Sequence, residues 1–284
     1  MSIAISVETA ADLSKELIEK NKIEVITLNV MLGDDVKVDA QIDIDEVFAY
    51  TDNTGKLPKT SAINQFEFKE YFEGLLKKYD AVVHISMSNG ISVTKNNAVA
   101  AASELKNVYV VDSLSLSTGI GLLALYGAQL RDHNYPAAEI ANKLTAKAQT
   151  VQASFVIDRL DFLCKGGRCS KLALMGANLL KLHPQIIVSD GKLGAYKKFR
   201  GQYVKVVEEY VKATLEQFPN ADLDTAFITH THADPAAVEV ARELLIKKGF
   251  KNVYETVAGA TVASHCGKNT LGVLYFLNEP LTIK

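Results

Sequence analysis

Apolar positions along the chain follow two rhythms. Short continuous or alternating apolar runs bounded by turn residues mark strands, and stretches where apolar residues return every three or four positions mark helices. Residues 3–7 (IAISV) form the first run, and beyond Glu8-Thr9 a helical rhythm begins near Ala11, with Thr9 and Asp12 spaced as in a capping box. Residues 24–31 (EVITLNVM) read as the next strand, so the chain opens strand, helix, strand, which predicts a parallel sheet with right-handed crossovers. The acidic, turn-rich residues 33–45 suggest a hairpin, residues 43–50 a helix, and GKLPKTS at 55–61 a loop. Phe68, Tyr71, Phe72, Leu75 and Leu76 recur at helical spacing across 64–78. Residues 80–86 (DAVVHIS) and 107–112 (NVYVVD) are then strands, followed by helices over 117–131 and 136–149. Polar stretches at Glu8-Thr9, at SNGISVTKNN after residue 86 and at Asp112-Ser113 lie at carboxyl ends of these parallel strands, where open α/β sheets hold ligands.

The texture changes beyond residue 150. Two arginines stand where the chain reverses, Arg168 after Gly166-Gly167 and Arg200 before Gly201. The diglycine reads as a helix C-cap, since Gly takes positive φ without steric cost, but a cap does not call for the cations. Two arginines near one point would make an anion site. Strands over 185–189 and 195–199 meet across Asp190-Gly191, a hairpin signal. A helix over 202–218, a strand over 224–229, a helix over 235–248 and a strand over 252–256 follow, and GATVASHCGKNTLGVLYFL reads as a Gly-punctuated loop leading into an apolar strand. The expected fold class is α/β with two domains: a Rossmann-like parallel-sheet domain over 1–150 and a second α/β domain over 151–284.

Composition narrows the partners. With 48% hydrophobic residues, 23% charged residues and a formal net charge of −2, no global field draws the chain to nucleic acid or anionic lipid, so any charged ligand must be met locally. Cys164, Cys169 and Cys266 have no metal-type spacing and are expected to be thiols of a reducing compartment. The first residues, MSIAISV, lack the features of a signal peptide, and no apolar run reaches the roughly 18 residues of a membrane helix, so the expected location is the cytoplasm.

Several chemistries can be weighed on their motifs. The first strand-to-helix turn has none of the glycines of a dinucleotide fingerprint, Val262 stands where a Walker loop preceding Gly267-Lys268 needs its first glycine, and no G-x-S-x-G elbow exists. His230, His232 and Asp234 form an H-x-H-x-D run after a strand, as at the start of many binuclear metal sites, with His265 as a further ligand. The plainer account is that Asp234-Pro235 starts a helix beside packed histidines. His265, among small residues between Gly259 and Gly267, is placed either to pack or to meet a ligand that approaches the backbone closely.

Together these pieces resemble the DegV family, which includes fatty-acid-binding subunits of the bacterial fatty acid kinase system. Lys59-Thr60-Ser61 is similar to the family's K-T-S loop, Ile91-Ser92-Val93-Thr94 to its L-S-G-T segment, and Asp112-Ser113 to its next strand end. Leu160 to Arg168 is similar to L-x-x-L-x-x-G-G-R, Asp190-Gly191 and Arg200-Gly201 to the D-G and R-G pair, and Ser264-His265-Cys266-Gly267 to the H-x-G loop. The order of the pieces is the family's, almost end to end. Glu8-Thr9 replaces a D-S pair, Val93 replaces the glycine of L-S-G-T, and GKNT replaces a Pro-Gly pair.

The resemblance implies a fatty acid held between the two domains, with no cofactor apart from that ligand. Thr60, Ser61, Ser92, Thr94 and His265 would bind its carboxylate. Arg168 and Arg200 would serve the head group, its phosphorylated form or a docking partner, with Asp112, Ser113, Gly166, Gly167, Cys266 and Gly267 in supporting loops. It implies a carrier in phospholipid metabolism that presents the carboxylate to a separate ATP-dependent kinase, since this chain carries no nucleotide-phosphate loop of its own. The alternatives are a metal-dependent hydrolase built on His230, His232 and Asp234, and a lipid-responsive regulatory protein without a kinase partner.

Overall fold

The computed structural model describes residues 2–167 and 182–283 of the chain. Strands β1 (Ile3–Glu8) and β2 (Ile23–Ile26) join β6 (Ala81–Ser86) and β7 (Val108–Asp112) in a four-stranded parallel sheet of order β2-β1-β6-β7. A separate antiparallel sheet of order β4-β3-β5 contains β3 (Asn29–Leu32), β4 (Asp35–Val38) and β5 (Lys59–Ser61). The continuous run EVITLNVM is therefore two strands in two sheets. The chain leaves the first at Thr27-Leu28, where the Leu28 N–H donates to Thr9 Oγ1 at 3.2 Å.

Helix α1 (Lys15–Asn21) starts later than the rhythm predicted, because Ser14 caps it by accepting from the Leu17 N–H. Thr9–Ala11 is a 3-10 turn, and Asp12 ends it in the left-handed region at φ 51°. Helices α2 (Ile44–Thr54) and α3 (Gln65–Leu76) follow, the latter opened by an Asn64/Glu67 capping box. Residues 55–61 are not all loop, since their end is β5, with Thr60 opposite Val30. The polar run after β6 continues into α4 (Thr94–Ala102), whose buried face consists of Thr94, Ala98 and Ala101 and so leaves a weak apolar signature.

Helices α5 (Thr118–Asp132) and α6 (Ala137–Ala148) lead to a six-stranded mixed sheet of order β10-β9-β8-β13-β11-β12. Its strands are β8 (Val151–Val156), β9 (Leu182–Ser189), β10 (Lys192–Arg200), β11 (Ala221–His230), β12 (Asn252–Val257) and β13 (Leu271–Leu277). Only β11 and β12 run parallel as neighbours. The hairpin between β9 and β10 turns at Asp190-Gly191, both at positive φ (48° and 71°), the pair a type I′ turn requires. A Cβ on Gly191 would also lie 2.2 Å from Ser88 Oγ, which donates to the Gly191 carbonyl and seats the hairpin against the loop after β6.

Helix α5 is buried on nearly all sides, as an element between two sheets must be, and packs on β1 and β6 as well as on β8, β11 and β13. Alternation along β13 divides the second core: Leu274 and Phe276 face the cluster around α5, while Val273 and Tyr275 face α8 (Tyr203–Gln217) and α9 (Pro235–Lys248). Two short helices complete the fold, α7 (Leu160–Lys165) and α10 (Ala260–Cys266). No helix among the described residues is long and apolar enough to cross a membrane.

Candidate functional site

Helix α10 is the element that assembles the site, and the sequence had read it as a loop. Its residues are small (ATVASHC), so they carry little periodic signal, yet it packs against α2, α7, β3 and β5 and so reaches from the second half of the chain into the first. Its first turn is held by two buried aspartate carboxyl groups from separate 3-10 turns. Asp12 Oδ1 accepts from the Gly259 N–H at 2.8 Å, and Asp39 Oδ1 accepts from the Thr261 N–H at 2.7 Å. Ser117 Oγ donates to Asp12 Oδ2. Burial pushes the Asp12 carboxyl up to about 8; the bonds from Gly259 and Ser117 oppose that rise, and the neighbouring Asp39 adds to it.

The last turn of α10 carries His265, whose Nε2 lies 2.9 Å from Thr60 Oγ1 on β5. This pair brings together two predicted residues 205 positions apart in sequence. Gly166 explains part of the diglycine: its Cβ would fall 2.9 Å from His265 Nδ1 and 2.8 Å from the Phe162 carbonyl oxygen. Gly166 is also the C-cap of α7, and Gly167 just beyond it takes the left-handed φ of 72°. The helix ends at Gly267 (φ 75°), where a Cβ would meet the Phe162 ring at 2.9 Å.

Thr60 and His265 stand at the junction of two spaces. On one side is a cavity of about 290 Å³ walled by Leu28, Met87, Ile91, Leu116, Phe155 and Leu163, with Ser61, Ser92, Thr261 and Cys266 also in its lining. On the other is an open groove of about 730 Å³ bordered by Tyr50, Lys56, Lys59, Gly166 and Ser264. A void of about 30 Å³ lies behind Leu116, Phe155, Val262 and Cys266. Burial, with Asp12 adding to it, pushes the Cys266 thiol up to about 12, so it stays protonated and serves as apolar lining.

The remaining predicted residues divide. Ser92 lines the cavity, and its Oγ lies 2.9 Å from Thr94 Oγ1. Thr94 is fully buried at the start of α4 and absent from the lining, and touches the cavity's edge only through its contact with Ser92. Asp112 and Ser113 shape the next loop: Asp112 Oδ1 accepts from the Leu114 N–H, and Ser113 Oγ donates to the Ser115 carbonyl and accepts from its N–H. They do not reach the cavity, although Leu116 beyond them does. Arg200 ends β10, exposed, opposite Leu182 and outside the cavity lining. Arg168 lies outside the described residues.

The family departures are accommodated locally. Val93 sits at φ −74°, where a branched residue is unstrained. Asn269 takes φ 57°, which Asn tolerates better than most residues. Glu8 is fully buried, its carboxylate accepting from Ser86 Oγ at 2.6 Å and the Met87 N–H at 3.0 Å, so its extra methylene serves the sheet interior. Thr9 Oγ1 accepts from Leu28, as noted above.

The H-x-H-x-D run is dispersed. His230 Nδ1 accepts from the Ala233 N–H while its Nε2 faces Glu255 at 3.2 Å; His232 Nδ1 faces Asp45 at 3.0 Å; Asp234 caps α9 by accepting from the Ala236 N–H. Among the described residues no three His, Cys, Asp or Glu side chains group as metal ligands.

Sequence reasoning missed Asp12, Asp39 and Thr261. Asp12 had been assigned to a cap, and nothing in the local sequence tells a capping carboxylate from one that grips a helix 247 residues away.

A sequence model of the DegV family matches residues 2–278. A Thermotoga maritima protein named fatty acid-binding protein is 29% identical over 281 residues, covering 96% of each chain. A structure of a DegV family protein from Thermus thermophilus, described with fatty acid binding, superposes with a TM-score of 0.89 at 26% identity over 98% of this chain and all of that one. The Streptococcus pneumoniae fatty acid kinase B3 protein, loaded with linoleic acid, shares the fold at a TM-score of 0.84 and 19% identity, over 98% of this chain and all of that one. Match, order of motifs and fold agree: this chain belongs to the DegV family.

Proposed function

We propose that this chain binds a long-chain fatty acid in the cavity and presents its carboxylate to a separate ATP-dependent kinase, which forms the acyl phosphate. The observation that carries this reading is the position of the Thr60–His265 pair, polar and shared between a largely apolar cavity and a second, more polar groove. A carboxylate leaving water needs charge-assisted hydrogen bonds, which Thr60, Ser92 and His265 can donate together. Burying about fifteen methylenes supplies roughly 12 kcal/mol of gross gain before association costs. The chain of the ligand thus provides affinity, and the polar pair sets direction. Fatty-acid-binding relatives and the fold shared with a fatty acid kinase B protein support the same reading.

The groove gives a second protein access to the head group, and Lys56 and Lys59 on its border favour a phosphorylated product there. Arg200, exposed at the end of β10, serves kinase docking in this reading, and Arg168 is assigned with it. The test is to load the chain with labelled fatty acid, add an ATP-binding kinase subunit from the same cell, and trap acyl phosphate with hydroxylamine. Hydroxamate that depends on both proteins and on ATP is expected. Hydroxamate formed without this chain, or none with both proteins and bound fatty acid, contradicts the presenting role.

A further inference from the structure

Residues 29–61 leave the first half of the chain and fasten to the second. They hold the sheet β4-β3-β5, the 3-10 turn Asp39–Gln41 and α2. Val30, Ile42, Val47 and Phe48 pack with Phe162 of α7 and Ala260 of α10 in a small core apart from the two larger ones. Among the described residues, the four side-chain hydrogen bonds that leave the segment all end in the second half. Asp39 accepts from the Thr261 N–H, Thr60 meets His265, Asp45 meets His232 at 3.0 Å, and Asp52 accepts from Arg159 at 3.1 Å. The first half holds the two ends: the Leu28 N–H donates to Thr9 Oγ1 at 3.2 Å, and the Ile63 carbonyl accepts from Asn97 Nδ2 at 2.7 Å. Leu28 and Ile63 are themselves buried in the core around α5.

A segment pinned at both ends and held between them by a small core and two solvent-exposed ion pairs is built to open as one piece. Ligand entry gives it a reason to open. Thr60 Oγ1 and His265 Nε2 lie 2.9 Å apart with one proton between them, whereas a carboxylate that accepts from both needs a donor from each. Their mutual bond is therefore given up as the head group arrives, and Thr60 belongs to the segment. Thr60 and Ser61 line the cavity, and Met31, Gly33, Tyr50 and Lys59 border the groove, so lifting the segment from α10 joins the two spaces.

We propose that residues 29–61 form a clasp, hinged at Leu28 and Ile63, that swings off α10 to admit the ligand and is drawn shut when the ligand's carboxylate bridges Thr60 and His265. This rests on the fatty-acid reading above. The bound head group replaces one bond between clasp and helix by two, so the ligand stabilises the closed form.

The test joins the clasp to the second half. Asp45→Cys and His232→Cys are placed in a chain carrying Cys164→Ala and Cys169→Ala, and the new pair is bridged by a short bis-maleimide with a reducible link. Uptake of labelled hexadecanoate by the delipidated protein is expected to be about ten-fold slower or more when bridged, and to recover once the link is reduced, because opening then limits association. Equal rates in the bridged and reduced protein overturn the inference. A second readout needs no ligand: amides of β3 and β5 are expected to exchange with solvent together, about ten-fold faster or more than those of β1 and β6. Exchange as slow as that of β1 and β6 overturns the inference as well. Failure of the unbridged chain to take up hexadecanoate contradicts the fatty-acid reading instead, and hydrogen exchange still decides whether the clasp opens.

Discussion

The first turn of α10 is gripped by Asp12 and Asp39 in a dry interior, whereas its last turn holds His265 against Thr60 at the meeting of cavity and groove. A helix of seven residues thus carries a fixed anchor at one end and a working residue at the other. The anchor uses carboxyl oxygens at a helix start, where free N–H groups await partners. The working end uses neutral or weakly basic groups whose bonds a ligand can exchange. The contrast separates carboxyl groups, which position the helix, from the hydroxyls and the imidazole that line the cavity and are assigned to the ligand in the proposed function.

The largest effect should come from removing the working end. Thr60→Ala with His265→Ala deletes two bonds to a buried anion and is expected to weaken fatty-acid binding about 100-fold or more, by equilibrium titration, with the fold retained by circular dichroism. Gly166→Ala attacks the same end from behind. Its methyl group would lie 2.9 Å from His265 Nδ1, so we expect about ten-fold weaker binding, whereas Gly194→Ala, where a Cβ meets nothing within 4 Å, should bind normally.

The anchor should respond to pH. The Asp12 carboxyl, pushed up to about 8, keeps its proton in the folded chain where an unfolded Asp, near about 3.9, has lost it. Stability from this group is therefore complete below about pH 4 and is lost as pH rises toward and through about 8. The loss is up to about 1.4 kcal/mol per pH unit in that window, and thermal melts of Asp12→Asn should show a flatter profile. His232→Ala should do least. Its partner Asp45 is mostly exposed, so fatty-acid affinity should stay within about two-fold and stability within about 0.5 kcal/mol.

Much of the fold was legible because it follows local rules. The helical spacing of Phe68, Phe72 and Leu75, the hairpin at Asp190-Gly191 and the parallel run of β1, β6 and β7 all declare themselves within a few residues, whereas the capping box read at Thr9 and Asp12 does not form. The break in EVITLNVM was not legible, since Thr27 and Leu28 look like strand residues and only Thr9, eighteen positions before Thr27, fixes where the chain turns away. Helix α10 hid in small residues, and β8, buried on every residue, lacked alternation. Thr60, Ser92 and His265 were singled out through motif resemblance, and all three line the cavity. Asp12, Asp39 and Thr261 needed three dimensions, because their chemistry lies in what surrounds them.

The central claim, that the cavity holds a fatty acid, is tested most directly by denaturing the purified protein, identifying by mass spectrometry any lipid it releases, and titrating delipidated protein with labelled long-chain fatty acid. The account predicts saturable uptake of one fatty acid per chain, lost in the Thr60→Ala/His265→Ala variant. Protein that releases no fatty acid and takes none up, or uptake that the double variant leaves unchanged, would contradict it.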